Sequence, residues 1–576
     1  MRAGAGSGRR HGGTAAGLFG ASLLVAATVL GAGGAFALPS APPSGSASPG
    51  GPGTGGTRGD QDESNGRRGD REDRGDKGDK GDRGDRGEES GRPGSSGSGS
   101  ARPTTTPPST AASASTSPSP SASASASAPS SASASASGSA SAKPSALARP
   151  APAGAVLAAA EAGPGAGLPT AQGLQQALAT VLTDQNLGTV GLAVADAADG
   201  QLLYGKGENT AATPASTTKL ATSVAALSLI PGDTRLATRV VKNAATGGIT
   251  LVGGGDPTLT ALPADQVQVA GVAADPDTAP ASLDALARQT AAALKAAGTT
   301  TVALDYDVTL YTGPLLHKNH DAENIAAVTP LMVDEGKVDP KSLADAPARV
   351  TDPAGAAAES FANLLKAQGV TVQGRAKAAA APAAADAPVL GRVDSPTMAR
   401  LVERMLTTSD NTLAEAIARQ AAIAAHQPAA FEGAATAVTQ ELTRLGVPMT
   451  GVVLNDGSGL HPGNAIPPAV LVKLLALAAS AQHPTLRPVL TGLPIAGFTG
   501  TLGKRFGAGS GAADAAGLVR AKTGSLSGVN TLAGTVVDAD GRQLAFALMT
   551  RTAAPVDTAR AAMDRVVARL AACGCR

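Results

Sequence analysis

The sequence predicts an α+β fold, in which strands from both ends of the folded part form one antiparallel sheet flanked by helices. Near its start, Val190–Val194 and Leu202–Tyr204 flank the turn Asp199-Gly200, a pattern typical of a β-hairpin. A helical pattern over 556–571 closes the chain. Three apolar runs before that helix predict strands: 518–522, 529–537 and 544–549. The first and last segments are therefore expected to meet in a single domain.

A long segment between these strands is predicted to fold separately. The main domain is expected to comprise residues 166–235 and 391–576, with 236–390 inserted as a second domain. Short apolar runs at 249–252 and 301–304 indicate that the insertion has strands of its own.

Helical patterns connect the predicted strands. Leu174, Leu178 and Leu182 recur at helical spacing before the first hairpin. Further along, Ser395-Pro396 predicts the N-cap and first residue of another helix. A third helix is expected over about 412–425, after a short polar break.

The N-terminal segment 1–37 is typical of an export signal. Its basic start, with Arg2, Arg9 and Arg10, precedes an apolar run, and Ala35-Phe36-Ala37 offers a small-x-small cleavage site. Cleavage and retention as a membrane anchor both remain open. Either outcome places the rest of the chain outside the cytoplasmic membrane.

Residues 38–165 are predicted to form a flexible tether. A Gly-Asp-Lys/Arg repeat over 66–89 has glycine at every third position, but its triplets lack proline and are too few for a collagen triple helix. Residues 91–153 are mainly Ser, Ala, Pro and Thr, which cannot bury enough apolar surface to offset the entropy of ordering. The sequence therefore predicts a disordered linker over 38–165.

Composition argues against several kinds of partner. The 47 basic and 46 acidic residues leave a net charge of +1, so no overall field attracts nucleic acid. The six histidines form no His-Glu-x-x-His motif, and His317 and His320 are expected in a surface loop. Cys573 and Cys575 match no zinc spacing; a tail dithiol or a local disulfide is expected, with a redox or metal role as the alternative. The sequence predicts neither a cofactor nor a catalytic metal.

Ser216 and Lys219 form the first candidate catalytic pair, in the run Pro214-Ala-Ser-Thr-Thr-Lys219 at the start of a helical pattern. Side chains three residues apart on a helix project from the same face. A serine hydroxyl needs a base within hydrogen-bonding reach, and a lysine can serve if burial keeps part of it neutral near pH 7. A serine N-cap followed by a surface lysine is the alternative for this motif alone.

Two further polar motifs follow. Ser409-Asp410-Asn411 lies in the break between two helices, and Lys522-Thr523-Gly524-Ser525 ends an apolar strand. Gly524 would let a substrate backbone approach the strand edge, while Lys522 would offer a cation to a carboxylate and the Ser525 N–H would complete an oxyanion hole. Each motif alone is weak, but their order and placement match the signature of penicillin-recognising serine enzymes.

Within that superfamily, the chain resembles the class C low-molecular-mass penicillin-binding proteins, the D-alanyl-D-alanine carboxypeptidase/endopeptidase family. The resemblance spans about 170–571 and includes the segments 251–259, 456–460 and 500–506. The sequence departs from the family at His461-Pro462-Gly463-Asn464, where Ser-Arg and then Asn are usual. The resemblance implies a transpeptidase/β-lactamase-like domain with one inserted domain, preceded here by the signal segment and the disordered tether.

The resemblance also implies catalytic roles. Ser216 would be the acylated nucleophile and Lys219 its proton acceptor. Ser409 would relay protons together with Asn411, and both would hold the peptide amide. No metal takes part in this scheme.

Substrate binding is implied at Asn411, Lys522, Thr523 and Ser525. Lys522 and Thr523 would bind the carboxylate of the substrate or of a penicillin, and the amides of Ser216 and Ser525 would form the oxyanion hole. The implied partners are peptidoglycan stem peptides and β-lactam antibiotics, the latter as covalent inhibitors. The N-terminal segment would contact the cell wall or the membrane surface.

The expected function is that of an exported, extracytoplasmic serine D-alanyl-D-alanine carboxypeptidase, with D,D-endopeptidase cleavage as a second reaction open to the same acyl-enzyme. A serine β-lactamase shares the three motifs, but it lacks a large insertion between the first two and uses a glutamate to prime water. Glu415 directly follows Ser409-Asp410-Asn411 and is no convincing match for that glutamate. A non-catalytic wall-binding module would have lost the nucleophile, base or relay, and all three are present.

Overall fold

The computed structural model describes residues 167–269, 271–320, 323–344 and 346–576. The predicted export signal, 1–37, and the predicted tether, 38–165, lie outside the described residues. Among the described residues no single helix is long and apolar enough to cross a membrane. The bent helix pair Pro468–Ala479 and Pro484–Thr491 reaches the necessary length and apolar composition only when its two helices are taken together.

Helices and strands are distributed along the whole described chain. The α-helices are α1 (Ala171–Leu178), α2 (Thr218–Leu229), α3 (Leu283–Ala296), α4 (Pro353–Ala367), α5 (Met398–Thr408), α6 (Asn411–Ala424), α7 (Phe431–Arg444), α8 (Pro468–Ala479), α9 (Pro488–Thr491) and α10 (Val556–Ala571). The strands are β1 (Thr189–Asp196), β2 (Leu202–Lys206), β3 (Arg235–Lys242), β4 (Ile249–Val252), β5 (Gln268–Val269), β6 (Val272–Ala273), β7 (Thr301–Val302), β8 (Leu304–Asp307), β9 (Thr371–Val372), β10 (Lys377–Ala378), β11 (Val389–Thr397), β12 (Val519–Leu526), β13 (Val529–Val537) and β14 (Gln543–Arg551).

The first and last strands join in one five-stranded sheet of order β12-β13-β14-β1-β2. All four neighbouring pairs are antiparallel, and β1 pairs with β14 without a register shift from Thr189↔Arg551 to Asp196↔Leu544. Helices cover both faces of this sheet. The predicted α+β class, an antiparallel sheet flanked by helices, is confirmed.

The two faces of this sheet differ in side-chain size. Alternate residues of a strand point to opposite faces. In β1, Ala193 and Ala195 pack in the cluster that contains α2 and α8, whereas Leu192 and Val194 pack in the cluster that contains α1 and α10. Each fully buried large side chain on the second face contributes roughly 1.5–3 kcal/mol of burial energy. Alanine on the first face lets α8 lie close to β1 and β14.

Residues 235–397 build a second sheet of order β10-β8-β4-β3-β11. β3 and β11 are antiparallel neighbours, so the chain leaves and re-enters the first part of the molecule along one strand pair. Helices α3 and α4 cover this sheet with a separate apolar core that includes Leu286 and Phe361. The sequence-based domain bounds, with 236–390 as the insertion, stay a prediction.

Three local predictions differ from the structure. Ser395-Pro396 lies at the end of β11 rather than at a helix start, because the Ser395 hydroxyl accepts the Leu236 N–H and β11 pairs with β3 up to Thr397. Thr397 therefore caps α5. The pattern through Leu182 is also wrong in extent, since α1 ends at Leu178. The run 301–304 is divided between β7 and β8.

Candidate active site

Ser216 lies in a single 3-10 turn, Ala215–Thr217, that leads directly into α2. Ala215 has a φ of +47°, a left-handed conformation that L residues rarely adopt. The Pro214 carbonyl holds this turn by accepting three hydrogen bonds, from the Thr217 N–H at 3.1 Å, the Thr217 hydroxyl at 2.6 Å and the Thr531 hydroxyl of β13 at 2.8 Å. The bond from Thr531 fixes Ser216 against the sheet.

Lys219 lies one turn further along, and its side chain is fully buried. Its Nζ is 3.0 Å from the Ser216 Oγ, 2.6 Å from the Asn411 Oδ1 and 2.7 Å from the Ser458 carbonyl oxygen. All three partners are neutral oxygens. Of these three oxygens, only the Ser216 hydroxyl carries a proton that it can transfer to the Lys219 amine.

The surroundings of Lys219 raise the fraction of its amine that is neutral near pH 7. Burial lowers its pKa from 10.5 to about 8, although the nearby charges of Asp456, Asp410 and Glu415 oppose the shift. Removing a cation from water without an ion-pair partner disfavours the charged state. At neutral pH a fraction of about a tenth is therefore free to act as a base.

Ser409 and Asn411 are positioned by the junction of α5 and α6. Ser409 ends α5 in a left-handed conformation with φ of +62°. Asp410 caps α6 by accepting the Leu413 N–H at 2.7 Å. Asn411 is the first residue of α6; its amide oxygen faces Lys219, and its amide NH₂ donates to the Asn324 carbonyl at 3.0 Å.

The third motif lies on β12, the edge strand of the first sheet. Lys522 is fully buried, and its Nζ donates to the Ser409 Oγ at 2.8 Å and to the Thr523 carbonyl at 2.8 Å. Burial and the charge of Lys219 lower the pKa of Lys522 well below its ordinary value. A methyl group on Gly524 would lie 2.9 Å from the Ser216 nitrogen. The absence of a side chain at 524 therefore allows β12 to touch the nucleophile turn.

The outer edge of β12 is paired along only its first half. The Val519 carbonyl and the Ala521 N–H bond to the segment 494–496, each at 2.9 Å. Because outward-pointing groups alternate along a strand, the N–H groups of Thr523 and Ser525 point to the same side. Within the part of the chain that the structure describes, no backbone group pairs with these two. These two N–H groups are therefore available to pair with an extended peptide beside Ser216.

The loop that presents the Ser458 carbonyl to Lys219 is braced by Asp456. This carboxylate accepts the Gly459 N–H at 2.9 Å, the His461 N–H at 2.7 Å and the Asn464 side-chain amide at 2.6 Å. These hydrogen bonds favour the carboxylate and hold the pKa of Asp456 below its usual value, in spite of the opposing effect of burial. Asp456 therefore shapes the site without touching Ser216.

His320 also contacts this brace, which corrects its placement in a surface loop. Its side chain is fully buried, and its Nε2 lies 2.8 Å from the Asp456 Oδ2. His317 is half-buried and packs against the Phe431 ring. The scattered spacing of the histidines gave no sign that His317, His320 and His461 lie together here.

His320, Asp456 and Glu415 place their donor atoms within 4.8 Å of one another, as the ligands of a metal would be. Both Glu415 oxygens, however, accept backbone N–H groups from Gly457 and Ser458 at 2.8–3.1 Å. With Asp456 also occupied by N–H donors, the cluster forms a hydrogen-bonded support for the loop. Its charges face the loop rather than an open coordination position.

The structure brings all seven predicted site residues to one place. A chain of hydrogen bonds links Ser216, Lys219 and Asn411, another links Lys522 to Ser409, and Thr523 and Ser525 flank Gly524 on β12. Their individual roles stay predictions. Sequence reasoning missed the carbonyls of Ser458 and Asn324, because backbone groups leave no trace in residue type. In the sequence, only the family resemblance of the run 456–460 indicated that the loop containing Ser458 belongs to the site.

Comparisons with known proteins agree with this geometry. The chain matches the D-Ala-D-Ala carboxypeptidase 3 (S13) family over residues 174–348 and 340–570. It is 35% identical over 420 residues to a carboxypeptidase of Mycobacterium tuberculosis, covering 71% of this chain and 86% of that protein. It is 30% identical over 442 residues to the D-alanyl-D-alanine carboxypeptidase of Actinomadura sp. strain R39, covering 65% and 80% respectively.

Among solved structures, penicillin binding protein 4 of Haemophilus influenzae superposes with a TM-score of 0.53 at 20% identity, covering 68% of this chain and 98% of that one. At this identity the likeness establishes the fold alone. The family match confirms the serine D-Ala-D-Ala carboxypeptidase family predicted from the three motifs. This chain belongs to the D-Ala-D-Ala carboxypeptidase S13 family.

Proposed function

We propose that this protein is a serine carboxypeptidase that removes the terminal D-alanine from peptidoglycan stem peptides through an acyl-enzyme on Ser216. One observation carries the proposal most directly. The buried Lys219 amine lies 3.0 Å from the Ser216 hydroxyl, and its two other partners can only accept. A neutral Lys219 then donates two N–H bonds to Asn411 and Ser458 and directs its lone pair at the Ser216 proton.

Acylation follows from this arrangement. The Ser216 oxygen attacks the carbonyl carbon between the two D-alanines, and its proton moves to Lys219. The negative charge on the carbonyl oxygen is stabilised by the N–H groups of Ser216 and Ser525, in the manner of an oxyanion hole. The C–N bond breaks when the leaving amine takes up a proton, and D-alanine departs. Lys219 and Ser409 are the groups placed to return that proton.

Deacylation requires water to attack the Ser216 ester. A β-lactamase speeds this step with a glutamate that primes the water, and Glu415 is the nearest acid on α6. Its two oxygens are occupied by the N–H groups of Gly457 and Ser458, and its side chain is fully buried. Glu415 therefore supports the loop, and the site favours a slow-deacylating peptidase over a β-lactamase.

Three finer assignments belong to the same proposal. The Haemophilus penicillin binding protein 4 has been solved in complex with a β-lactam, and we infer that β-lactams acylate Ser216 here as covalent inhibitors. D,D-endopeptidase cleavage of cross-links proceeds through the same acyl-enzyme and is the second proposed reaction. Export, and association with the wall or membrane surface through residues 1–165, are proposed on the sequence alone.

The test is covalent labelling of the purified protein with benzylpenicillin, followed by intact-mass analysis. The parent should gain one penicilloyl group that persists for many minutes, and Ser216→Ala should gain none. Ser527→Ala is the matched control, because Ser527 is exposed in the turn after β12. Release of D-alanine from diacetyl-L-lysyl-D-alanyl-D-alanine should follow the same pattern.

Each other outcome has a definite meaning. A folded parent that gains no adduct and releases no D-alanine would overturn the proposed function in favour of a wall-binding protein. A penicilloyl group lost within seconds would identify a β-lactamase. An adduct on Ser216→Ala would place the nucleophile elsewhere.

A further inference from the structure

On the face of β12 that turns toward α10, hydroxyls of the third motif meet side chains from outside the three motifs. Thr523 and Ser525 are two residues apart on the strand, so their side chains point to the same face. The Thr501 hydroxyl lies 2.8 Å from the Thr523 hydroxyl, and Arg560 of α10 donates to the Ser525 Oγ at 3.1 Å. Two strand hydroxyls and a guanidinium therefore line the open half of the edge.

Lys522 faces the other side of the strand. Its buried amine is held by the Ser409 hydroxyl and the Thr523 carbonyl. Burial and the charge of Lys219 lower its pKa, and the amine points into the interior of the site rather than toward the exposed edge. A substrate carboxylate at the exposed edge of β12 would need a cation that stays charged, as a guanidinium does.

Arg560 differs from the other arginines around α10. Arg505 and Arg565 form ion pairs with Asp564 and Asp184. Arg560 is 39% exposed, and its only ion-pair partner among the described residues is Asp557, at 3.6 Å with a 92% exposed side chain. Such a contact is screened by water and leaves the guanidinium free to bind another anion.

Arg560 is the fifth residue of α10, three residues after Asp557. Its side chain reaches β12 at Ser525. The neighbouring Gly524 packs on the Ser216 nitrogen, so Arg560 contacts the strand that borders the nucleophile.

We propose that Arg560, together with the Ser525 hydroxyl, binds the terminal carboxylate of the substrate and makes the enzyme selective for peptides that end in a free acid. The inference rests on the proposed function. With the scissile carbonyl between the N–H groups of Ser216 and Ser525, the terminal α-carbon lies one peptide unit, about 3.8 Å, further along. This step brings the carboxylate beside the Ser525 side chain, where the guanidinium forms charge-assisted hydrogen bonds.

The experiment compares acylation of the full protein by benzylpenicillin and by its uncharged methyl ester. Adduct formation is followed by intact mass, so that slow reactions remain measurable. Arg560→Gln should lower the acylation rate constant for the free acid by about tenfold, the effect of one hydrogen bond to a charged group. The rate with the methyl ester should change by less than about twofold, because no charge is lost from that complex.

Two further variants separate recognition from structure. Arg560→Lys keeps the charge and should recover part of the selectivity for the acid. Arg569→Gln is the matched control: it removes an exposed arginine from the same helix, about 13 Å further along the axis, beyond the Debye length. It should leave both rates unchanged. The kcat/KM for diacetyl-L-lysyl-D-alanyl-D-alanine should fall in Arg560→Gln through KM.

The outcomes distinguish this inference from the proposed function. If the parent is acylated but Arg560→Gln slows acid and ester equally, Arg560 is structural and the inference is wrong. It is also wrong if neither rate changes. A parent that is not acylated at all contradicts the proposed function instead.

Discussion

The pocket around Lys219 and the open edge of β12 both border Ser216, but the first buries its basic side chain and the second leaves its basic side chain partly exposed. Lys219 is fully buried among neutral oxygens, and its pKa falls to about 8. Arg560 is 39% exposed and lies beside the exposed Ser525. The buried region supplies a base because water is excluded there. The exposed region supplies recognition because a permanent charge can remain solvated until substrate arrives.

The largest expected effect is loss of the base. Lys219→Met should lower the acylation rate constant for benzylpenicillin by at least about 1,000-fold, within the range of a general base positioned on its substrate. Methionine fills a similar volume but cannot take the Ser216 proton. Intact-mass time courses measure the rate, and thermal unfolding checks the fold. Lys366→Met, at an exposed position of α4, should match the parent. A Lys219→Met protein that keeps a tenth of the parent rate would exclude lysine as the base.

The second largest effect is expected at the contact between Gly524 of β12 and the turn that holds Ser216. A methyl group on Gly524 would lie 2.2 Å from the Thr531 Oγ1 and 2.9 Å from the Ser216 nitrogen. Gly524→Ala should therefore push β12 away from the nucleophile turn. The acylation rate constant for benzylpenicillin should fall about 100-fold, as it does when an oxyanion-hole donor is lost. Gly507→Ala, where a methyl group would meet no atom within 4 Å, is the control. Equal rates for the two variants would show that β12 does not take part in the oxyanion hole.

The pH dependence tests the buried side alone. Lys219 must be neutral to act as a base, so kcat/KM should rise about tenfold per pH unit below its pKa of about 8 and level off above it. An uncharged depsipeptide ester removes any titration of the substrate from the profile. Arg560→Gln should keep the same inflection, because it lies on the exposed side. A profile that is flat between pH 6 and 9 would contradict a lysine base with this pKa.

The sequence predicted the residues of the Lys219 pocket, but it did not predict Arg560 at the open edge of β12. Ser216, Lys219, Ser409, Asn411 and Lys522 were predicted to share one site from their residue types and spacing, and the structure brings them together. The antiparallel sheet was also predicted, since its strands have alternating or continuous apolar runs and turns such as Asp540-Gly541. Local chemistry that depends on neighbouring residues is visible in a sequence.

What the sequence did not predict depends on tertiary contacts. Arg560 lies on α10, 35 residues after Ser525, and nothing in a helical pattern shows that its side chain reaches β12. His320 meets Asp456 across 136 positions. Ser395-Pro396 had the residue types of a helix start, but pairing of β11 with β3 extended the strand over them. In each case a distant partner decided the outcome.

The smallest expected effect is at the far end of the open edge. Thr501→Val keeps the shape of the side chain and removes only the hydroxyl that lies 2.8 Å from the Thr523 hydroxyl. One neutral hydrogen bond at an exposed site contributes about 1 kcal/mol, so KM for the D-alanyl-D-alanine peptide should rise by less than about fivefold. The kcat and the pH inflection should not change, because Lys219 lies on the buried side. A shift of that inflection in Thr501→Val would show that the two regions are coupled, and that the separation of chemistry from recognition is incomplete.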